Sequence, residues 1–431
     1  MKIQEHLNKI SWTIADKISF FLYGLVSLIQ MRALPIEDWG IFGLMISLHT
    51  WIYVFIDSFA LQNIIQFGMN ENNKAKVNLY SLLLQVSIVT IVSIILFFLR
   101  NNIAYILGEQ LLRQVAVNVS VLLILSIPRT FVIKIVYRNQ QFKHLFLINF
   151  VFFAIMTTFT FYFVFIEGVL NFQRMVIIYY LGTGFSSIFA VILKIKDLKF
   201  SIIGGITLKQ LIKFSVPWTL YSTINYFPRV IDLYLVQYFF RTEITGIYYA
   251  AKNLFRIFEE SLNAAFGLVY PSAVKLYENH NTKGFNDLIS KSVSFLLLIY
   301  VITVLILELG LSKIIITNIL PLSYHNSVQQ FNLLILGSLA MPFLILSSFI
   351  TAIGKPQVIL KISIISLIIS LTVLIIIGHY TLIDLIPLGL LIYLFSNAIQ
   401  FYLYMKKINL FQNKYLFRAL GDIREFVKSK I

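Results

Sequence analysis

Apolar residues in this chain come in long continuous runs separated by short polar joins. The runs predict helices over 11–33, 41–67, 79–100, 112–134, 145–166, 175–194, 211–238, 245–271, 289–311, 328–353, 358–380 and 384–406. At 1.5 Å per residue, about 20 apolar residues cross the roughly 30 Å hydrocarbon core of a bilayer. The pattern therefore predicts an all-α polytopic membrane protein of about 12 transmembrane helices. Segments of about ten residues with alternating polarity, the signature of an outer-membrane barrel, are not part of it. The polar stretch Met1 to Ile10 lacks a following small-residue cleavage site, so the first run reads as a retained span.

The longest basic join, Lys194-Ile-Lys-Asp-Leu-Lys-Phe-Ser-Ile-Ile-Gly-Gly-Ile-Thr-Leu-Lys209, falls between the sixth and seventh runs. It divides the chain into a six-helix lobe over 1–200, a second over 201–410 and a basic cytoplasmic tail over 411–431. The halves echo one another at an offset of 206 residues: Glu37-Asp-Trp-Gly-Ile-Phe42 recurs as Glu243-Ile-Thr-Gly-Ile-Tyr248, and Trp12-Thr13 as Trp218-Thr219. Pro128 and Pro342 occupy similar places in runs four and ten. Repeats of this kind, in the same orientation, predict two lobes around a central cavity, related by an axis along the membrane normal.

Composition agrees: 58% of residues are hydrophobic and 13% charged, against roughly 25% charged in soluble domains. A net charge of +16 raises the question of nucleic acid, and its distribution answers against it. Threading the runs alternately places 24 Lys and Arg on one side and six on the other: Arg32, Arg100, Arg113, Arg174, Arg241 and Lys313. This positive-inside asymmetry predicts that both termini are cytoplasmic. The chain has no cysteine, which excludes disulfides and thiolate chemistry. Metal-ligand spacing and phosphate-cradling glycine loops are missing as well, so neither a cofactor nor ATP hydrolysis is expected, and the short external joins speak against an enzyme.

Charges inside apolar runs are the candidates for function, because each costs about 2.5–3.5 kcal/mol to insert at the bilayer centre. In run seven, Trp218, Ser222, Asn225, Arg229 and Asp232 fall on one helical stripe, with Pro228 set to kink it. Arg229 and Asp232 are spaced to pair with each other, or with charges on run eight. There Lys252, Arg256, Glu259 and Glu260 share a face, with Arg256 and Glu260 spaced to neutralise one another. In the first half stand Asp16 and Lys17, then Asp57, which shares a face with His49 and Tyr53, and then Arg129 next to Pro128. Asp57 suits a coupling-ion site, or a salt bridge to Lys17 or Arg129. Arg129 suits a cavity lining, or a pairing with Asp57 or Asp16.

Several pieces together resemble a known family: Leu34-Pro-Ile-Glu-Asp-Trp-Gly-Ile-Phe-Gly-Leu44, Arg229-Val-Ile-Asp232, Gly246-Ile-Tyr-Tyr-Ala-Ala-Lys252, Tyr270-Pro271 and Ala352-Ile-Gly-Lys-Pro356. The resemblance is to the polysaccharide and O-antigen flippases, the lipid-linked oligosaccharide transporters of the multidrug/oligosaccharidyl-lipid/polysaccharide exporter superfamily. It implies movement of an undecaprenyl-pyrophosphate-linked sugar unit across the bacterial inner membrane, for surface polysaccharide or lipopolysaccharide biosynthesis. Asp232 falls at an acidic position that recurs in that family. On this reading Arg129, Arg229, Lys252 and Arg256 face the diphosphate, because arginine grips phosphate oxygens bidentately and lysine acts as a point charge. Trp218 and Asn225 join them at the substrate, with Tyr221, Tyr226, Tyr248 and Tyr249 as further sugar contacts. Asp16, Lys17, Asp57, Asp232, Glu259 and Glu260 form the coupling and gating set, for H+ or Na+. Membrane lipids are the other expected partners, with Lys414 to Lys430 resting on the inner leaflet. The rivals are a multidrug exporter of the same superfamily, expected to have a more acidic lining, and a membrane sugar polymerase or ligase, expected to carry a large external loop.

Overall fold

In the computed structural model the described residues are 3–411 and Gly421, with side chains from residue 11 onward. The predicted basic tail beyond 411 thus lies, Gly421 aside, outside the described residues. Helices follow one another as α1 (Ile3–Ala33), α2 (Ile36–Phe67), α3 (Glu71–Leu107), α4 (Leu112–Arg138), α5 (Phe142–Ile166), α6 (Phe172–Asp197), α7 (Leu208–Tyr226), α8 (Pro228–Glu278), α9 (Thr282–Ile319), α10 (Ser327–Ala352), α11 (Pro356–His379) and α12 (Ile383–Lys407). No strand occurs among the described residues. Ten of these helices are long and apolar enough to cross a membrane. The other two, α7 and α8, carry the polar stripe and the charges of runs seven and eight, which lower their apolar content.

Each predicted run is helical, and the difference lies in how runs seven and eight are divided. The chain breaks at Phe227, so the second half of run seven belongs to α8. Pro228 explains the break, because it has no N–H to continue the ladder. α8 then turns at Arg241, whose φ of 69° and ψ of −176° lie in a region that costs a non-glycine residue about 1–3 kcal/mol. The Arg241 carbonyl accepts the Thr245 hydroxyl at 2.8 Å, and its guanidinium donates to the Gly108 carbonyl at 3.4 Å.

The chain forms two compact units: Met1–Val230 with Arg241–Gly246, and Ile231–Phe240 with Ile247–Ile431. In the first, α4 is the central helix, packed on α2, α3 and α6. Val132, Val136, Leu145, Ile148 and Ala190 close one side of it, and Ala60, Leu61, Ile64, Phe131 and Ile135 the other. In the second unit α12 packs on α10 and α11. Side-chain caps set several helix starts: Asn70 caps α3, Asn171 caps α6, and Thr207 with Gln210 forms a capping box on α7. The 194–209 join is tied to α3, with Asn78 donating to the Lys199 carbonyl at 3.0 Å and Lys76 to the Gly204 carbonyl at 2.9 Å.

The sequence repeat has a physical counterpart within the first unit. Gly40 lies so close to the start of run eight that a Cβ there would stand 2.7 Å from the Thr242 carbonyl oxygen. Reciprocally, a Cβ on Gly246 would overlap the Ile36 carbonyl oxygen. Positions 36 and 242 are related by the offset of 206, as are 40 and 246. Residue i touching j while its equivalent repeats the contact is the mark of a two-fold relation. Glycine is needed at both places because two backbones approach without room for a side chain, a common device for helices packed in lipid.

Candidate functional site

The candidate charges of the first unit other than Lys17 and Arg229 form two half-buried clusters on α1, α2, α4, α5 and α6. In one, Asn149 on α5 joins a cation to an anion: its Oδ1 accepts Arg129 Nη2 at 2.6 Å, and its Nδ2 donates to Asp16 Oδ1 at 2.8 Å. Arg129 also donates through Nε to Ser186 Oγ at 3.1 Å and lies 4.7 Å from the Phe152 ring centre. In the other, Lys134 Nζ contacts Asp57 at 2.9 Å and Gln62 Oε1 at 3.4 Å, while the Tyr53 hydroxyl donates to Asp57 at 3.5 Å. Asp57 opens a π-helical turn, Asp57–Leu61, a widening that recurs at functional positions in helices.

These partners correct the sequence reading. Asp57 pairs with Lys134, in place of Lys17 or Arg129, and Lys17 is exposed. The predicted fourth run ended at 134, which put Lys134 among the loop cations. In the structure the helix continues to Arg138 and carries Lys134 inside. Asn149, Ser186 and Gln62 are uncharged, so charges inside apolar runs do not point to them. The signal for Asn149 was its place as a lone amide in the apolar stretch Leu145–Phe153.

In the second unit the centre is Asp232, 1% exposed. Lys252 Nζ lies 2.7 Å from each of its oxygens, and the Tyr248 hydroxyl donates to Oδ2 at 2.7 Å. The Leu233 amide is the third donor and makes the fourth hydrogen bond, at 2.7 Å. A buried carboxylate is tolerable when charge-paired and fully hydrogen-bonded, and this one is both. The turn at Arg241 makes the pairing possible, since it folds the two segments of α8 back on each other. Of the two pairings open to Asp232, that with run eight is realised.

The remaining candidates are placed as follows. Arg229, in the first unit, stacks over the Tyr226 ring at 5.8 Å. Asn225 donates to the Tyr221 carbonyl at 2.8 Å, and Trp218, 39% exposed, packs against Tyr221 at 5.7 Å. On α8 of the second unit, Arg256 is exposed and Glu259 and Glu260 are half-buried. Among the described residues no group of His, Cys, Asp or Glu is arranged to hold a metal ion.

A family model described as a polysaccharide biosynthesis protein matches residues 29–294. The chain belongs to this family. No curated protein matches it in sequence. Its fold is similar to that of a multidrug resistance MATE family transporter of the MOP superfamily in the inward-facing conformation, with a TM-score of 0.77 at 15% identity over 90% of this chain and 94% of that one. It is similar also to the lipid II flippase MurJ, inward closed, with a TM-score of 0.71 at 16% identity over 95% and 90%. A MOP superfamily transporter from Pyrococcus furiosus, described as having a binding pocket of reverse polarity, gives 0.67 at 14% identity over 93% and 94%. The family member therefore has the fold of the MOP transporters.

Proposed function

We propose that this protein is a flippase that carries an undecaprenyl-pyrophosphate-linked oligosaccharide across the bacterial inner membrane by alternating access, for surface polysaccharide assembly. The observation that carries this reading is the polysaccharide biosynthesis family match on a chain with the MOP fold. The site chemistry adds support. Arg129, Lys134 and Lys252 each rest on a protein oxygen, and Arg229 stacks on a tyrosine. A diphosphate that meets such a cation displaces its protein oxygen as acceptor. Lys252 then leaves Asp232 for phosphate, and the freed carboxylate takes a proton or a sodium ion. Exchange keeps cargo affinity moderate and makes it differ between the two access states, which is what moves an alternating-access equilibrium. Arg256, Glu259 and Glu260 line the same segment of α8, with Trp218 and Asn225 at the sugar. Asp16, Lys17 and Asp57 serve the corresponding coupling role in the first half.

The test is transport in sealed vesicles holding the purified chain and a diphosphate-linked oligosaccharide lipid. The sugar is expected to become accessible to an impermeant glycosidase faster than in empty vesicles. Equal rates, or export of a cationic dye with no movement of the lipid, would overturn the reading in favour of the multidrug rival.

The orientation is tested separately. With no native cysteine, Ser201→Cys in the basic join is expected to resist an impermeant maleimide in intact cells and to react after permeabilisation. Reaction in intact cells would reverse the topology.

A further inference from the structure

A cavity of about 430 Å³ lies at one end of the first unit, where the end of α3 meets the starts of α4 and α6. Arg100, Arg113, Gln114, Val117, Asn118 and Gln173 line it. Its charge is one-sided. Neither Arg100 nor Arg113 forms an ion pair among the described residues, whereas Arg174 close by is neutralised by Glu167 at 2.5 Å. The Arg100 guanidinium is held in place by the Phe97 ring, 3.9 Å below it. The Tyr180 hydroxyl donates to Asn118 Oδ1 at 2.9 Å, which leaves the amide NH2 end as the donor available to a ligand. Two guanidinium forks and an amide donor without a protein anion make a phosphate-binding set.

Its position says what carries the phosphate. Arg100 lies roughly 40 Å along α3 from Asn73, at 1.5 Å per residue, about the thickness of a bilayer with its headgroup layers. Asn73 lines a cavity at the other end of the same unit. The Arg100 cavity thus sits at headgroup depth, at the end that the charge asymmetry assigns to the outside. Immediately toward the bilayer centre, α3 exposes Ile94, Ile95, Phe97 and Phe98, a surface for acyl chains. Charge at the headgroup level above an apolar strip fits a phosphate-headed lipid, and phospholipids are the bulk of any leaflet. The other cavity lacks the pair of guanidinium forks: Lys213 is the cation in its lining, and Gln210 is spent on the α7 capping box.

We infer that the first unit holds an anionic phospholipid of the outer leaflet, its phosphate between Arg100 and Arg113 and its acyl chains on the exposed face of α3. The site is separate from the Asp57 and Asp232 clusters, so it is testable without transport. Native mass spectrometry of the purified full chain, titrated with phosphatidylglycerol and with a diacylglycerol of the same chains, is expected to show preferential retention of phosphatidylglycerol. Arg100→Gln/Arg113→Gln is expected to lower that retention about tenfold, the scale of losing one or two charge-assisted hydrogen bonds. The corresponding double lysine variant is expected to keep most of it. Arg113→Gln alone removes an exposed side chain, leaves folding unaffected, and is expected to weaken retention in the same direction. Equal retention by the double glutamine variant and the parent, or equal binding of diacylglycerol, would overturn the assignment. So would binding of farnesyl diphosphate with none of phosphatidylglycerol, which would mark the cavity as a diphosphate site.

Discussion

Gly246→Leu is expected to prevent accumulation of a folded protein, and Gly40→Leu to do nearly the same. At both positions a side chain meets main chain: the Ile36 carbonyl in one case, the Thr242 carbonyl and the Gly246 amide in the other. A flexible side chain can rotate away from an intruder, and a helix backbone cannot. The helices must separate, and the packing that follows them is lost. Overpacking commonly costs about 1–3 kcal/mol, and here it falls on rigid backbone. Alanine sharpens the test, since it raises helix propensity over glycine by about 1 kcal/mol. A fall in stability on Gly246→Ala therefore has to come from the clash. Gly267 on α8 has open space where its Cβ would be, so Gly267→Ala is the control and is expected to hold or raise the melting temperature. Fluorescence-detected size-exclusion after heating reads all of these. A Gly246→Leu protein with the parent's melting temperature would show that the close crossing is absent.

The same glycines show what could be read from the sequence. Glu37-Asp-Trp-Gly-Ile-Phe42 and Glu243-Ile-Thr-Gly-Ile-Tyr248 stood out as a repeat, yet nothing in either copy says that the two touch. Contact between segments 206 residues apart is decided by packing. The helices were legible because a lipid-facing surface leaves long apolar runs in the sequence, and Pro228 marked the break in run seven. The turn at Arg241 was not legible, because a non-glycine residue at positive φ is held there by partners distant in sequence, the Gly108 carbonyl among them. For the site, Asp232 and Asp57 were visible as carboxylates in apolar surroundings, and their partners were less so. Lys252 is brought to Asp232 by that turn. Lys134 was hidden by a helix end placed four residues early, and Asn149 by having no charge.

Lys252→Met is expected to reduce protein abundance severely, because it leaves the Asp232 carboxyl group, 1% exposed, without its cation. Removing one partner of a buried pair typically costs about 3–5 kcal/mol, a large part of the stability of any fold. Asp232→Asn is expected to be milder, since the amide keeps an acceptor for Tyr248 and Lys252 is partly exposed at 12%. The double variant Asp232→Asn/Lys252→Met has no buried charge left to satisfy, and replacing such pairs by neutral groups is often neutral or stabilising. It is expected to regain parental abundance. The two possible roles of the pair then separate. If Asp232 and Lys252 only hold α8 together, the double variant restores surface polysaccharide along with the fold. If Lys252 exchanges its carboxylate for the cargo diphosphate, the double variant is abundant and silent, because it has lost both the cation that binds cargo and the anion that reclaims the cation on release. We expect the silent outcome, read by quantitative immunoblotting of the membrane fraction beside surface polysaccharide in the same cells. Parental polysaccharide from the double variant would assign the pair to structure alone and leave Arg129, Arg229 and Arg256 as the cations to test for the diphosphate.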